Sequence, residues 1–405
     1  MIVSMSKKMM RRSFEKVSYR FTDIPKPELH GDFGVYIHVP FCYSKCSFCP
    51  FYKETYSENL KKQYLAAILK EIEDTELRNQ AKWVYVGGGT PNTLEIGELR
   101  NILERIKYKI KLNSLGIELL PALIKKDYLL GLRKLGFSKI SVGIESYSVE
   151  VMERTGRKIG DNEQIRKVLG YAKSLGLFVN VDMMVGLPGQ DAATFRQDIK
   201  KVKSALPDQI TIYPFMIIRG LKANPSSTSE EQFELIEEAG EILRNLGYDR
   251  KSVWTFAFDN DVYDSSRDEL VMDYIGFGPA AFSTYGNWKV VNPELDVYLR
   301  NFKNGRQLGF VASKSRTSDD WRKFAAMIYE GKIDNLENLP TFMRILMRVL
   351  RLLGYTKDNA LTKKGRILAH EITKTVVESL PFPIQNPDCV ENYGDYALYR
   401  DIAHS

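Results

Sequence analysis

At 405 residues, 44% apolar and 27% charged, the chain has room for one large domain with one or two smaller ones. Its 28 glycines and 16 prolines are too few for a collagen-like or disordered protein, and no apolar run reaches the roughly 18 residues of a membrane span. Of the net charge of +7, the first thirty residues carry +4, with seven Lys/Arg against three Asp/Glu. That is a solvated basic tail rather than a nucleic-acid face, and its polar continuation lacks the apolar stretch of an export signal, so a cytoplasmic chain is expected.

Val35, Ile37 and Val39 alternate with Tyr36 and His38, which predicts a strand ending at Pro40. A helical pattern over 60–76 follows, then a strand over 82–86 that runs into Gly87-Gly88-Gly89-Thr90-Pro91. Further strands are expected at 116–120, 139–143, 177–185 and 209–213, with helices near 95–108, 125–135, 162–175 and 191–204. Six strands with helical crossovers make a parallel sheet, as a full or partial barrel or a doubly wound open sheet. In a barrel the site lies at the C-terminal ends of the strands. Beyond this core, helices are expected at 226–247, 339–353 and 361–380, with a short strand at 254–258.

Cys42, Cys46 and Cys49 fall within eight residues, and Cys389 stands apart. In a chain with no export signal such a cluster points to a metal or redox site, not to disulfides. A structural zinc site wants four ligands, and none of the four histidines follows the triad at finger-like spacing. Three thiolates on a four-iron cubane would leave one iron open to another ligand. The Gly87–Gly89 turn lets backbone approach a ligand closely but matches neither a Walker loop nor a dinucleotide fingerprint. Glu118, Glu145 and Asp182 lie in or just after predicted strands, where a charge is desolvated at cost unless it faces a polar site.

The segment Gly-Val-Tyr-Ile-His-Val-Pro-Phe-Cys-Tyr-Ser-Lys-Cys-Ser-Phe-Cys over 34–49 resembles the signature of the radical SAM superfamily. Its lead-in is similar to the branch of oxygen-independent coproporphyrinogen oxidases, heme chaperones and class C radical SAM methyltransferases. The resemblance implies a 4Fe–4S cluster on Cys42, Cys46 and Cys49, with S-adenosylmethionine (SAM) on the fourth iron. It places Gly88, Gly89 and Thr90 near the methionine part of SAM, Arg157 near its carboxylate, and Glu118 and Asp182 at the ribose. It adds Tyr36, Phe48, Glu145, Gly278 and Ala280 as further SAM contacts, with the adenine against 185–190. A second hallmark, Tyr-Ile-Gly-Phe-Gly-Pro-Ala-Ala-Phe-Ser over 274–283, resembles the same branch.

The fold so implied is α/β. A basic extension (1–33) precedes a partial (β/α)6 TIM-like core (34–220), an α/β extension (221–310) and a mainly helical, winged-helix-like cap (311–405). The function implied is reductive cleavage of SAM to a 5′-deoxyadenosyl radical. The expected use is class C-like methyl transfer from a second SAM to a small organic substrate, aromatic or anionic. Oxidation of a tetrapyrrole and heme chaperoning are the alternatives. Tyr36, His38 and Tyr213 are the expected catalytic residues, in a second pocket walled by the 277–285 segment, Phe282 and Tyr285 included. A flavodoxin or ferredoxin would supply electrons; a nucleic-acid partner is not expected. Three positions depart from the branch. Glu118 is followed by Leu-Leu-Pro, Glu145 replaces a usual Gln, and Asp264-Ser-Ser-Arg-Asp-Glu269 stands where heme chaperones carry His-Asn-x-x-Tyr-Trp.

Overall fold

The computed structural model describes residues 17–401 apart from 30, 219–220, 222, 259–271, 332, 334–338 and 380–381, together with 4, 7, 8 and 11. The segment 264–269 lies outside the described residues. The alternating segments form β1 (Phe33–Val39), β2 (Gln80–Gly88), β3 (Leu115–Leu119), β4 (Lys139–Glu145), β5 (Phe178–Val185) and β6 (Gln209–Pro214). These pair in that order, every neighbour parallel.

Helices α1 (Glu58–Asp74), α2 (Ile96–Lys109), α3 (Lys126–Leu135), α4 (Asn162–Ser174) and α5 (Ala192–Ala205) form the crossovers, and α6 (Ser229–Arg244) packs beside α5. Their sequences explain them locally. In α2 a reciprocal Glu95–Glu98 capping box starts the helix, and Leu99, Ile102, Leu103 and Ile106 bury one stripe. In α3 a left-handed Gly136 ends it.

The strand alternation sorts the sheet into two faces. Val35, Ile37, Val39, Val86, Ile117, Ile140, Val142, Val179 and Val181 are all fully buried. Each such side chain contributes about 1.5–3 kcal/mol. The opposite positions carry Tyr36, His38, Tyr85, Glu118, Ser141, Asn180, Asp182 and Thr211, a polar interior unlike the branched apolar filling usual in barrels.

The sheet continues past β1. Strand β7 (Tyr274–Phe277) lies parallel to β1, and β8 (Phe282–Tyr285), β9 (Trp288–Val291) and β10 (Leu308–Ser313) follow antiparallel. The strand Arg20–Asp23 pairs with β10 at that edge, and Thr255–Ala257 pairs antiparallel with β6 at the other. This is a partial barrel with an open, antiparallel extension. Thr341–Leu352 and Lys363–Glu378 are helices joined through a short hairpin, Thr356–Lys357 with Ala360–Leu361. Among the described residues no helix is long and apolar enough to cross a membrane.

Candidate active site

Strand β1 delivers the chain into the cysteine loop at the C-terminal edge of the sheet. Cys42 is buried, and its Sγ lies 3.3 Å from the Thr90 hydroxyl on the turn after β2. The Cys49 amide bonds the Cys46 carbonyl at 3.3 Å, and the Ser47 amide bonds the Thr155 carbonyl at 2.9 Å. Thr155 ends a short helix, Val149–Thr155, so the loop is pinned from the β4 side as well. Burial raises the Cys42 thiol to about 11 and also raises Cys49. These thiols therefore become thiolate ligands only in exchange for metal. Among the described residues no three His, Cys, Asp or Glu side chains are gathered for a single metal ion; three thiols serving three separate irons need not converge on one point.

Arg157 occupies the centre of the strand ends. It pairs with Glu145 at 3.3 Å, donates to the Gly143 carbonyl, and lies 3.8 Å from the Cys46 sulfur. Its guanidinium sits 5.9 Å from the centre of the buried Phe48 ring. Its Nε is buried with no partner among the described residues, so one donor is still unspent. The Glu145 backbone has φ +65° at a bulge in β4, a strained conformation of the kind that persists where the surroundings enforce it.

Three carboxyl groups face this guanidinium. Burial, with the charges of Asp182 and Glu145, pushes Glu118 up to about 8. Burial moves Glu145 to about 7 and Asp182 to about 6, the latter held down by bonds from Ser141 and Asn180. A carboxyl whose folded pKa is raised stabilises the fold at low pH and loses that contribution as pH rises through the raised value. Conversely, burial lowers His38 to about 4, so its share is lost as pH falls from about 6.5. Three carboxyls lose their contribution from about pH 4 upward while His38 alone gains as pH rises to about 6.5, so the cofactor-free chain is expected to lose stability steadily above about pH 4.5 and to melt at lower temperature by pH 8.5. Thermal melts across that range check this; a flat profile up to pH 8.5 would show that the acid cluster holds no protons.

Beneath the carboxyls runs a bonded chain that the sequence reading missed. Asn180 donates to Ser141 Oγ at 2.7 Å and to Asp182 at 2.8 Å, and Ser141 donates to Asp182. Thr211 donates to Asn180 Oδ1 at 3.1 Å. These polar residues sit at inward register positions of β4, β5 and β6, which was the signal available. A second missed group is Asp198 on α5. It accepts from Ser146 Oγ, the Tyr147 amide and Gln190 Nε2 at 2.6, 2.8 and 3.1 Å. Gln190 in turn accepts from the Gly186 amide at 2.9 Å, so one carboxylate fixes the turns after β4 and β5.

Tyr36 and His38 point inward from β1 as expected. His38 Nε2 lies 3.1 Å from the Tyr52 carbonyl. A carbonyl only accepts, so Nε2 carries the proton and Nδ1 accepts from Tyr36 Oη at 3.1 Å. The imidazole thus ties β1 to the cysteine loop in its neutral form.

The glycine turn is steric in origin. A Cβ on Gly88, at φ +111°, would stand 2.9 Å from His38 and the Val39 carbonyl; one on Gly89 would stand 2.8 Å from Pro40 and the Phe41 carbonyl. Gly89→Ala is therefore expected to push the cysteine loop off the sheet and to weaken SAM binding at least ~10-fold, about 1.4 kcal/mol. Equilibrium dialysis against the reconstituted protein measures this, and unchanged affinity would show that the turn tolerates a side chain.

The 277–285 segment is placed differently from the pocket wall expected of it. Phe277 and Tyr285 are core residues at 1% exposure, Tyr285 Oη bonds the Pro25 carbonyl, and Phe282 packs on Phe382. Phe282 and Tyr285, three residues apart on β8, lie on opposite faces of that strand and so do not wall one pocket together. Gly278 donates its amide to Glu71 on α1 at 2.8 Å, and a Cβ there would strike the His38 carbonyl at 2.6 Å. Ala280 adopts φ +57°. Glu71, raised to about 7 by burial, also accepts from Tyr298 and Asn292 at 2.6 and 2.7 Å. That carboxylate ties α1 to the loop after β7 and carried no sequence signal. Tyr213, next to the last residue of β6, sets its ring edge-on to Trp254, 6.2 Å between centres, and β6 stands five strands from β1 in the sheet.

Residues 36–202 match the model of the Radical SAM superfamily. The chain carries a radical SAM domain. It is 26% identical over 319 residues to the oxygen-independent coproporphyrinogen III oxidase of Pseudomonas aeruginosa, covering 71% of this chain and 69% of that protein. It is 22% identical over 376 residues to the heme chaperone HemW of Buchnera aphidicola, covering 85% of this chain and 98% of that protein. Its fold is similar to that of coproporphyrinogen III oxidase (HemN) from Escherichia coli, with TM-score 0.70 over 88% of this chain and 91% of that one at 23% identity. A radical SAM domain takes a 4Fe–4S cluster and SAM. The loop with three thiols, the unspent Arg157 donor and the glycine turn with no room for a Cβ suit both groups.

Proposed function

We propose that this radical SAM protein is an enzyme that modifies a tetrapyrrole, in the class of its oxygen-independent coproporphyrinogen oxidase relatives. The names of the relatives support this reading over methyl transfer from a second SAM, the use expected from sequence. The observation that favours catalysis over heme carriage is the state of the histidines. His38 and His370 are 3% and 0% exposed. His370 accepts from Trp254 at Nδ1 and meets Ser229 Oγ at Nε2, both at 3.2 Å, and His38 is likewise engaged at both nitrogens. Neither has a nitrogen left for heme iron; His30 and His404 lie outside the described residues.

When bound, the cluster and SAM supply one-electron cleavage of the sulfonium and a radical that abstracts a substrate hydrogen. The protein's part is to hold and orient. Cys42, Cys46 and Cys49 would bind three irons, and Arg157 would take the SAM carboxylate as a bidentate partner. The Gly88–Thr90 backbone would receive the amino group, with Glu118 and Asp182 as acceptors for ribose hydroxyls and Glu145 as counter-charge to Arg157. Phe48, beside the Arg157 guanidinium, would wall the cofactor in. Tyr36, held by His38, and Tyr213 would face the substrate. Tyr43 and Phe51, 55% and 56% exposed on the cysteine loop, with Lys45 and Lys53 beside them, offer an approach for an acidic one-electron donor of the flavodoxin or ferredoxin class.

The deciding experiment incubates the anaerobically reconstituted chain with SAM, dithionite and coproporphyrinogen III, with a parallel hemin titration. With an added one-electron acceptor present, the expected result is 5′-deoxyadenosine formed only with substrate, and a product lighter by carbon dioxide and two hydrogens for each propionate converted to vinyl: one hydrogen leaves on 5′-deoxyadenosine, the other as a proton, and the remaining electron goes to the acceptor. Tight hemin binding without turnover would reassign the protein to the chaperones. S-adenosylhomocysteine would reassign it to methyl transfer.

A further inference from the structure

Helix Thr341–Leu352 buries Met343, Met347 and Leu350 and leaves a second apolar face in solvent. Phe342, Ile345, Val349 and Leu352 are 44%, 54%, 40% and 87% exposed. Their spacing of three, seven and ten residues lines them up in one stripe. Arg344, Arg348 and Arg351, all exposed, form the adjoining row. From 338 to 357 the chain has these three arginines and Lys357 but no Asp or Glu. Exposed apolar side chains are ordinary when scattered singly; a contiguous stripe marks a surface that is covered in use.

We propose that this helix seats the protein on an anionic lipid surface, with the apolar stripe at the acyl boundary and the arginine row among the headgroups. A helix with one apolar and one basic face lies in the plane of a membrane interface, and anionic lipid attracts each arginine near it. At about 18 Å it is far too short to cross. A second copy of the chain fits worse: isologous pairing of the stripe would bring arginine rows together with no carboxylate in this stretch to separate them. Nucleic acid would satisfy the arginines but leave Phe342, Ile345 and Leu352 in water.

Sedimentation of the full chain with phosphatidylcholine vesicles, with and without an equal share of phosphatidylglycerol, tests this. Binding is expected at least ~10-fold stronger with phosphatidylglycerol and reduced by salt. Ile345→Ser with Leu352→Ser, and separately Arg344→Gln with Arg348→Gln, should each weaken it at least ~10-fold. These exposed substitutions are expected to leave the melting temperature unchanged, so lost binding reports the surface and not the fold. No vesicle binding, or binding that neither pair alters, would overturn the proposal. A dimer dissolved by the Ile345/Leu352 pair would overturn it in favour of a second copy. Duplex DNA binding lost only in the arginine pair, without vesicle binding, would overturn it in favour of nucleic acid.

Discussion

Replacing Cys42, Cys46 or Cys49 with Ala is expected to abolish the cluster, and replacing Cys389 is expected to leave it whole. The three thiols share one loop that is hydrogen-bonded to the β2 turn and to the helix before Arg157. With one ligand removed, an iron is left to solvent and the cluster has only two protein anchors. Cys389 belongs to a different core, packed with Tyr19, Val291, Phe310 and Tyr396. Its Sγ donates to the Asn386 carbonyl at 3.0 Å. Iron and sulfide analysis of anaerobically reconstituted variants measures the difference. Each triad variant should fall to the background of the unreconstituted chain, whereas Cys389→Ala should match the wild type. Iron loss in Cys389→Ala would mean that the fourth thiol is recruited, and the open iron site would be lost with it.

Arg157→Ala is expected to be the most damaging substitution outside the cysteines. It removes the guanidinium facing Glu118, Glu145 and Asp182 and leaves Glu145 without its counter-charge. Breaking a buried pair from one side costs about 3–5 kcal/mol. Urea unfolding of the cofactor-free protein should show a loss of that order at pH 8, where the carboxyls are most ionised. The loss should shrink toward pH 5, because protonated carboxyls no longer need the cation. SAM binding should fall at least ~100-fold, about 2.7 kcal/mol. Arg157→Lys should recover part of the stability but little of the affinity, since an ammonium cannot reproduce the planar two-point contact. If the alanine variant were as stable as wild type at pH 8 and bound SAM within twofold, Arg157 would be neither the counter-charge nor the carboxylate anchor.

The cysteine triad, the strand alternation and the glycine turn were legible because each is a local pattern. A loop that wraps a cluster needs its ligands close in sequence, and a half-polar strand shows its period over a handful of residues. The same holds for α2, whose cap and stripe lie within its own span. What joins distant segments was not legible. Glu71 reads as one more helix carboxylate, yet it is buried beneath Gly278, Asn292 and Tyr298, which only the placement of β7 beside β1 brings to it. Asp198 reads as a surface acid on α5, and tertiary packing makes it the anchor of two turns. Phe282 and Tyr285 share a segment with Gly278, and sequence proximity alone suggested a shared pocket. Pairing of β8 with β7 and β9 instead sends their rings to Phe382 and Pro25. His38 shows the division within one residue. The period of β1 determined that it faces inward. That both its nitrogens are spent, on Tyr36 and on the Tyr52 carbonyl, depended on how the cysteine loop folds back, because a hydrogen-bond partner fourteen residues away leaves no mark in a period of two.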